Sequence, residues 1–261
     1  MTHPIFLVDA FADRPFAGNP AGVMILDAAL PEALMQAVAM EMNQAETAFV
    51  VPREGGWDIR WFTPTQEVAF CGHATLASAH VLATEHGAAG AIALHTREVG
   101  VLTVRTEGAG RYTLDVPRFD PEALDLSKVA PLVPGAVEAF RGGEDLFAVL
   151  PSEAAVWAFR PDLAAIAAHG ARGLAVTAPG EGADFASRFF APAAGIPEDP
   201  VTGSIHAALV PFWAARLGRD RLTAVQASRR GGRLEGRLAG DRVLLTGSAV
   251  TTLRGQLDLP D

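Results

Sequence analysis

Apolar residues recur along this chain at two spacings, one suited to strands and one to helices, and the order of these stretches is repeated in its two halves. Ile5 to Ala10 is a short apolar run, turn-forming residues follow through Asn19-Pro20, and Gly22 to Leu26 resumes the run, which predicts a pair of strands. From Pro31 to Met42 the positions Leu34, Val38 and Met42 keep helical spacing, with Pro31 placed in the first turn, and an amphipathic helix is expected. Glu46 to Val51 and Trp57 to Phe62 read as strands turning at Gly55-Gly56. Ala74 to His86 has the Ala and Leu content of a buried helix, stopped by Gly87. Val99 to Arg105 and Arg111 to Val116 form a hairpin around Gly108-Ala109-Gly110. The second half predicts strands at Leu146–Leu150, Leu174–Thr177 and Ala183–Phe190, helices at Pro161–His169 and Gly203–Leu217, and a hairpin from Arg233–Leu238 and Arg242–Gly247. Pro117 to Gly143, rich in proline and acidic residues, is the expected connection, with Val129 to Phe140 open to helix or strand.

The two halves align. Pairing Gly72 with Gly203 sets an offset of 131 residues, which also pairs Ala93 with Ala224, Gly100 with Gly231 and Arg111 with Arg242. Upstream, Phe62 and Pro64 match Phe190 and Pro192 at an offset of 128, so the second copy has gained three residues around Glu198-Asp199-Pro200. A duplicated module is the simplest source of such a pattern. Each copy offers short strands in hairpins and one helix that is apolar nearly all round, which needs sheet on several sides. The expected fold is therefore α+β, with two pseudo-symmetric lobes, each a curved, barrel-like sheet around a central helix. The lobes are placed at 1–118 and 119–261, with the last strand open to returning to the first lobe.

Composition narrows the function classes. A net charge of -9, from 21 basic against 30 acidic residues, offers no attraction to nucleic-acid phosphates, so no nucleic-acid partner is expected. Cys71 is the single cysteine, which excludes an internal disulfide and fits a reducing, cytoplasmic setting. The opening MTHPIFLVDAF has no basic start that would suggest a secretion signal. No apolar run reaches the roughly 18 residues of a membrane span, and no membrane association is expected.

The chemistry-bearing residues gather at the two Gly-led helix starts. Gly72 and Gly203 let a ligand approach the first backbone N–H groups of each helix, where a carboxylate or a developing enolate is favoured; alternatively His73, Thr75 and Ser204 merely cap helices. Glu46, in NQAETAFV, leads into apolar strand residues, where burial raises a carboxyl's pKa and suits it to taking and returning a proton, or else it is an exposed strand-end acid. Its counterpart in the repeat falls near Arg172, so there is no second copy of this acid. Asp199 sits in a stiff loop between Pro197 and Pro200, as a catalytic group or a turn residue, while Glu198 orients a neighbour or is solvated. Cys71 and His73 flank a helix start that could activate a thiol, although no Asn or Asp motif offers to orient the histidine, and free cysteines are mostly small core residues. The seven histidines show no metal-protease spacing, and no metal is expected. The basic turn Arg229-Arg230-Gly231-Gly232-Arg233 contacts an acidic substrate or is a solvated hairpin.

Four segments taken together, DAFADRPFAGNPAGV, NQAETAFV, FTPTQEVAFCGHAT and RFFAPAAGIPEDPVTGSIHAAL, resemble the PhzF-like isomerases of phenazine biosynthesis, relatives of diaminopimelate epimerase. The resemblance runs in order along nearly the whole chain. It implies two epimerase-type lobes with the active site in a cleft, no cofactor, a homodimer and a small carboxylate substrate. It further implies that Glu46 is the general acid and base, and that His73, Asp199 and Ser204 shape the proton path. The expected site is thus Glu46, Asp199 and His73 for catalysis, with Asn19, Gly72, Ala74, Thr202, Gly203 and Ser204 binding substrate. The epimerase relatives use two cysteines; here Cys71 holds one such position and Thr202 the other, which disfavours a two-thiol racemase. The late basic turn departs from the family's Gln-Gly pattern, because Ala227 follows Gln226. The expected activity is a cofactor-independent proton shift between carbons. A Cys71-dependent hydrolase or transferase and a non-catalytic carboxylate-binding protein are the alternatives.

Overall fold

The computed structural model of the chain describes residues 2–260. The chain divides into two compact units. One takes everything up to Asp115 together with the segment from Thr246 onward, and the other is Val116–Leu245.

The first unit opens with β1 (Thr2–Ala10) and β2 (Asn19–Ile25), which pair antiparallel. After α1 (Glu32–Met42), β3 (Glu46–Arg53) lies parallel to β2. Next, β4 (Gly56–Phe62) pairs antiparallel with β3 and with the short β5 (Glu67–Val68). α2 (Gly72–Glu85) follows, then β6 (Ala91–His95) parallel to β4, β7 (Val101–Gly108) antiparallel to β6, and β8 (Arg111–Pro117) antiparallel to β7. The C-terminal strand, Arg242–Asp258, pairs with β8 and runs antiparallel to β1 from Ala249 through Asp258. Eight strands therefore close on themselves. Closure removes the free sheet edge, which would otherwise present a row of unpaired backbone groups. α2 has no polar face to present to water: every residue from Gly72 to Leu82 is buried. α1 instead buries one stripe, setting Met35, Val38 and Ala39 against Met24, Phe49 and Phe62.

The second unit repeats the order and the sense of pairing. It comprises β9 (Glu122–Leu124), β10 (Glu138–Gly142), β11 (Asp145–Val149), α3 (Glu153–Ala158), α4 (Leu163–Ala168), β12 (Leu174–Pro179), β13 (Phe185–Ala191), β14 (Ile196–Asp199), α5 (Gly203–Leu217), β15 (Arg221–Gln226) and β16 (Gly232–Ala239), before the C-terminal strand β17. β10–β11 is antiparallel, β11–β12 parallel, β12–β13 and β13–β14 antiparallel, β13–β15 parallel and β15–β16 antiparallel. This is the series β1–β2, β2–β3, β3–β4, β4–β5, β4–β6 and β6–β7 over again. The fold is α+β, as the sequence pattern predicts, and of the epimerase type, as the resemblance implies.

α5 is buried nearly all round even though Pro211 lies inside it. Proline has no N–H, which leaves the Ala207 carbonyl without its helical donor, and the N–H of Phe119 takes that place at 3.0 Å. Gly236 permits the sheet to press on this helix: a Cβ there would stand 2.2 Å from Val210 Cγ2.

Several elements differ from the sequence expectation. β6 and β15 were not expected; each has only five or six residues, too few for alternation to stand out. α3 was also missed, a helix of six residues whose start is fixed by Ser152 accepting from Ala155 N–H. Pro31 precedes α1 as its N-cap rather than standing in its first turn. β17 continues to Asp258, well beyond the expected Gly247, and it is this extension that pairs with β1.

Candidate active site

In the first unit, three elements bring the predicted residues together. β3 begins at Glu46, so the carboxylate stands at the strand's first position. α2 begins at Gly72, after Cys71 in extended conformation at the N-cap. β2 begins at Asn19, directly after Gly18, whose φ of +64° suits glycine; a Cβ there would also lie 2.2 Å from the Ala10 carbonyl oxygen.

His73 is the centre of the cluster. Its Nδ1 lies 3.1 Å from Asn19 Nδ2 and 3.4 Å from Cys71 Sγ, and its Nε2 lies 3.3 Å from Glu46 Oε2. An amide nitrogen only donates, so Nδ1 accepts and the ring proton resides on Nε2, facing the carboxylate. The Nε2 approach to Glu46 is bent and falls short of a full hydrogen bond. Burial pushes the His73 pKa down to about 3, against the Pro20 backbone carbonyl, which pulls it up. The imidazole is therefore neutral at physiological pH. Glu46 is 8% exposed, so of the two sequence readings the buried acid is the correct one. The sequence offered no residue to orient the histidine; the structure supplies Asn19, 54 positions away.

Glu46, Cys71 and His73 also place ligand-type atoms within 4.8 Å of one another, donors of the kinds that bind zinc. The expectation of no metal rested on spacing in sequence, which does not register a group assembled from β3 and the start of α2.

In the second unit the loop before α5 is tied by side chains. Thr202 Oγ1 donates to Asp199 Oδ2 at 2.5 Å. Gln226, fully buried at the end of β15, accepts from Thr202 N–H at 2.8 Å and donates to the Asp199 carbonyl at 2.8 Å and to Thr202 Oγ1 at 3.1 Å. Gln226 thus sets the conformation that presents Asp199 and Thr202, a role the sequence did not reveal. Asp199 is 7% exposed. Glu198 is an orienting residue: Arg188 grips both its oxygens, Nε to Oε1 at 2.7 Å and Nη2 to Oε2 at 3.0 Å. Gly203 and Ser204 open α5, as Gly72, His73 and Ala74 open α2, and at neither start does the N-cap side chain accept a helix N–H. In the basic turn Arg229 is exposed, and Ser228 Oγ anchors the approach by donating to the Pro200 carbonyl at 2.9 Å.

The family described as phenazine biosynthesis-like protein, PhzC-PhzF, matches residues 8–255, and the chain belongs to it. It is 49% identical over 256 residues to an uncharacterized isomerase of Pseudomonas aeruginosa, covering 97% of each chain. A phenazine biosynthesis-like domain-containing protein of mouse is 38% identical over 287 residues, with 98% of this chain and 99% of that one covered. The crystal structure of a PhzF family protein from Enterococcus faecalis superposes with a TM-score of 0.95 at 41% identity, over 99% of this chain and all of the other (100%). At 13% identity and a TM-score of 0.62, a hydroxyproline epimerase from Agrobacterium vitis shares the fold, over 100% of this chain and 93% of that chain. No helix among the described residues is long and apolar enough to cross a membrane.

Proposed function

We propose that the chain is a cofactor-independent isomerase that shifts a proton between two carbons of a small carboxylate-bearing metabolite, with Glu46 as both base and acid. The observation that supports this most is a buried carboxylate set against a histidine held neutral and oriented by an amide. The Glu46 carboxylate takes the proton from one carbon, the electron pair moves into the conjugated system, and the resulting carboxylic acid returns the proton to another carbon. Atoms and charge balance without a further reactant. The Nε2–H of His73 steadies the carboxylate and follows its change of charge. Gly72 and Ala74 offer backbone donors at the start of α2, and Gly203 and Ser204 offer theirs at the start of α5, where the Thr202 N–H is already taken by Gln226; donors aimed at developing charge are worth about 3 kcal/mol each in other enzymes. Asp199, oriented by Thr202, is the second acid of the reading.

The test is Glu46→Gln. Deuterium uptake from heavy water into a responsive substrate, found by screening small cyclic and amino carboxylates, should fall by about 100-fold or more while binding is nearly kept. Exchange at the parent rate in that variant would remove Glu46 from the mechanism.

The 3.4 Å approach of Cys71 Sγ to His73 Nδ1 favours a second reading, a thiol-dependent hydrolase or transferase. Against it, an imidazole with a pKa near 3 is a poor base for a thiol of pKa about 8.5. Loss of activity in Cys71→Ser, together with rapid stoichiometric inactivation by a thiol reagent, would move the assignment there.

A further inference from the structure

Arg172, two residues before β12, sits in a setting that the roles assigned above do not use. Its Nη2 donates to Asp145 and to Ser204 Oγ at 3.1 Å, and its guanidinium lies 5.3 Å from the centre of the Phe189 ring. Asp145 is 3% exposed, while the Arg172 side chain is 38% exposed. The guanidinium is thus fixed from behind by a buried acid and from one face by a ring. Nη2 carries both its hydrogens to these partners, and no bond among the described residues engages Nε or Nη1. Three of its five donors remain for a ligand.

The repeat shows why a cation here is informative. Thr47 pairs with Phe62 in the first unit and Leu174 with Phe190 in the second, and Phe62 matches Phe190, so Gly173 stands where Glu46 does. By the pairing of Gly72 with Gly203, Ser204 occupies the place of His73 and Thr202 that of Cys71. At the start of α5 the acid–imidazole pair is gone, and an arginine beside the vacated position contacts the residue that replaced the histidine. Because Ser204 Oγ accepts from Arg172, its own hydroxyl hydrogen is directed elsewhere, as a further donor.

We propose that Arg172, positioned by Asp145 and Phe189, is the residue that selects a carboxylate group at the start of α5, with the Ser204 hydroxyl as its co-donor. This deepens the isomerase reading and rests on it for the identity of the ligand. The pair with Asp145 carries no net charge, so selection depends on the planar, directional donors of the guanidinium; a lysine would keep the ion pair and lose that geometry.

The test is calorimetric titration of the full chain with 2-aminobenzoate and with its uncharged counterpart 2-aminobenzamide. Arg172→Ala alone would strand a buried carboxylate, so the variants are Arg172→Lys and the neutral pair Arg172→Gln with Asp145→Asn, each checked for a cooperative melt. The parent protein should prefer the acid to the amide by about tenfold or more. That preference should vanish in the double variant and be reduced in the lysine variant. A folded double variant that keeps the parent's preference overturns the inference, as does a parent that shows none. Heavy-water exchange separates the two ideas: a preference that depends on Arg172 with no exchange in any substrate sinks the isomerase reading alone, whereas exchange with no such dependence sinks the arginine site alone.

Discussion

His73 has a different task at each of its two nitrogens, and a single amide decides which is which. With Asn19 donating to Nδ1, the proton is kept on Nε2 and turned toward Glu46. Asn19→Leu keeps the volume and removes the donor, leaving the imidazole free to carry its proton on either nitrogen. The rate of carbon-bound proton exchange in this variant should drop about tenfold or more with KM near the parent value; an unchanged rate would show that Asn19 only packs. The importance of Glu46 was legible because a carboxylate leading directly into a strand of Ala, Phe and Val is out of place unless it is used. Asn19 as an orienting residue, Gln226 and Arg172 were not legible in those roles. Each acts through a contact across tens of residues, and an isolated Asn, Gln or Arg carries no local signature of such a partner.

At the scale of elements, the repeat was the strongest signal in the sequence, because an offset kept over four residue pairs reflects a pairing scheme used twice. The two central helices were equally legible, since a helix without a polar face has few places to go. What escaped was short or non-local: β6 and β15 hold too few residues to show a period, and pairing of β17 with β1 joins the two ends of the chain. Close approach of sheet to helix was hidden as well. Gly236→Val would drive methyl groups into Val210 of α5, and overpacking of this kind costs about 1–3 kcal/mol. Urea unfolding should show a lower midpoint with an unchanged slope; an unaltered midpoint would mean that the sheet yields at that point.

At the scale of the whole molecule, buried histidines give stability a direction in pH. Burial pushes His73 to about 3 and His80 and His206 to about 4, from an ordinary value of 6.5. The folded state keeps these rings neutral, whereas the unfolded chain protonates them below pH 6.5. Their contribution is therefore complete above that value and is lost as the pH falls toward 4 and 3. The slope is at most about 1.4 kcal/mol per pH unit for each ring. Asp145, raised by its own burial, works in the opposite direction but is one group against three. Melting temperature should fall steadily between pH 7 and pH 5, and a flat profile would mean that the rings are not held neutral. The last strand sets a different constraint, one of timing. Its closing stretch completes the ring that β1 begins, so the amino-terminal barrel leaves the ribosome with one stave missing and cannot be sealed until the whole of the second unit and β17 after it have been made. The module made first is the one finished last.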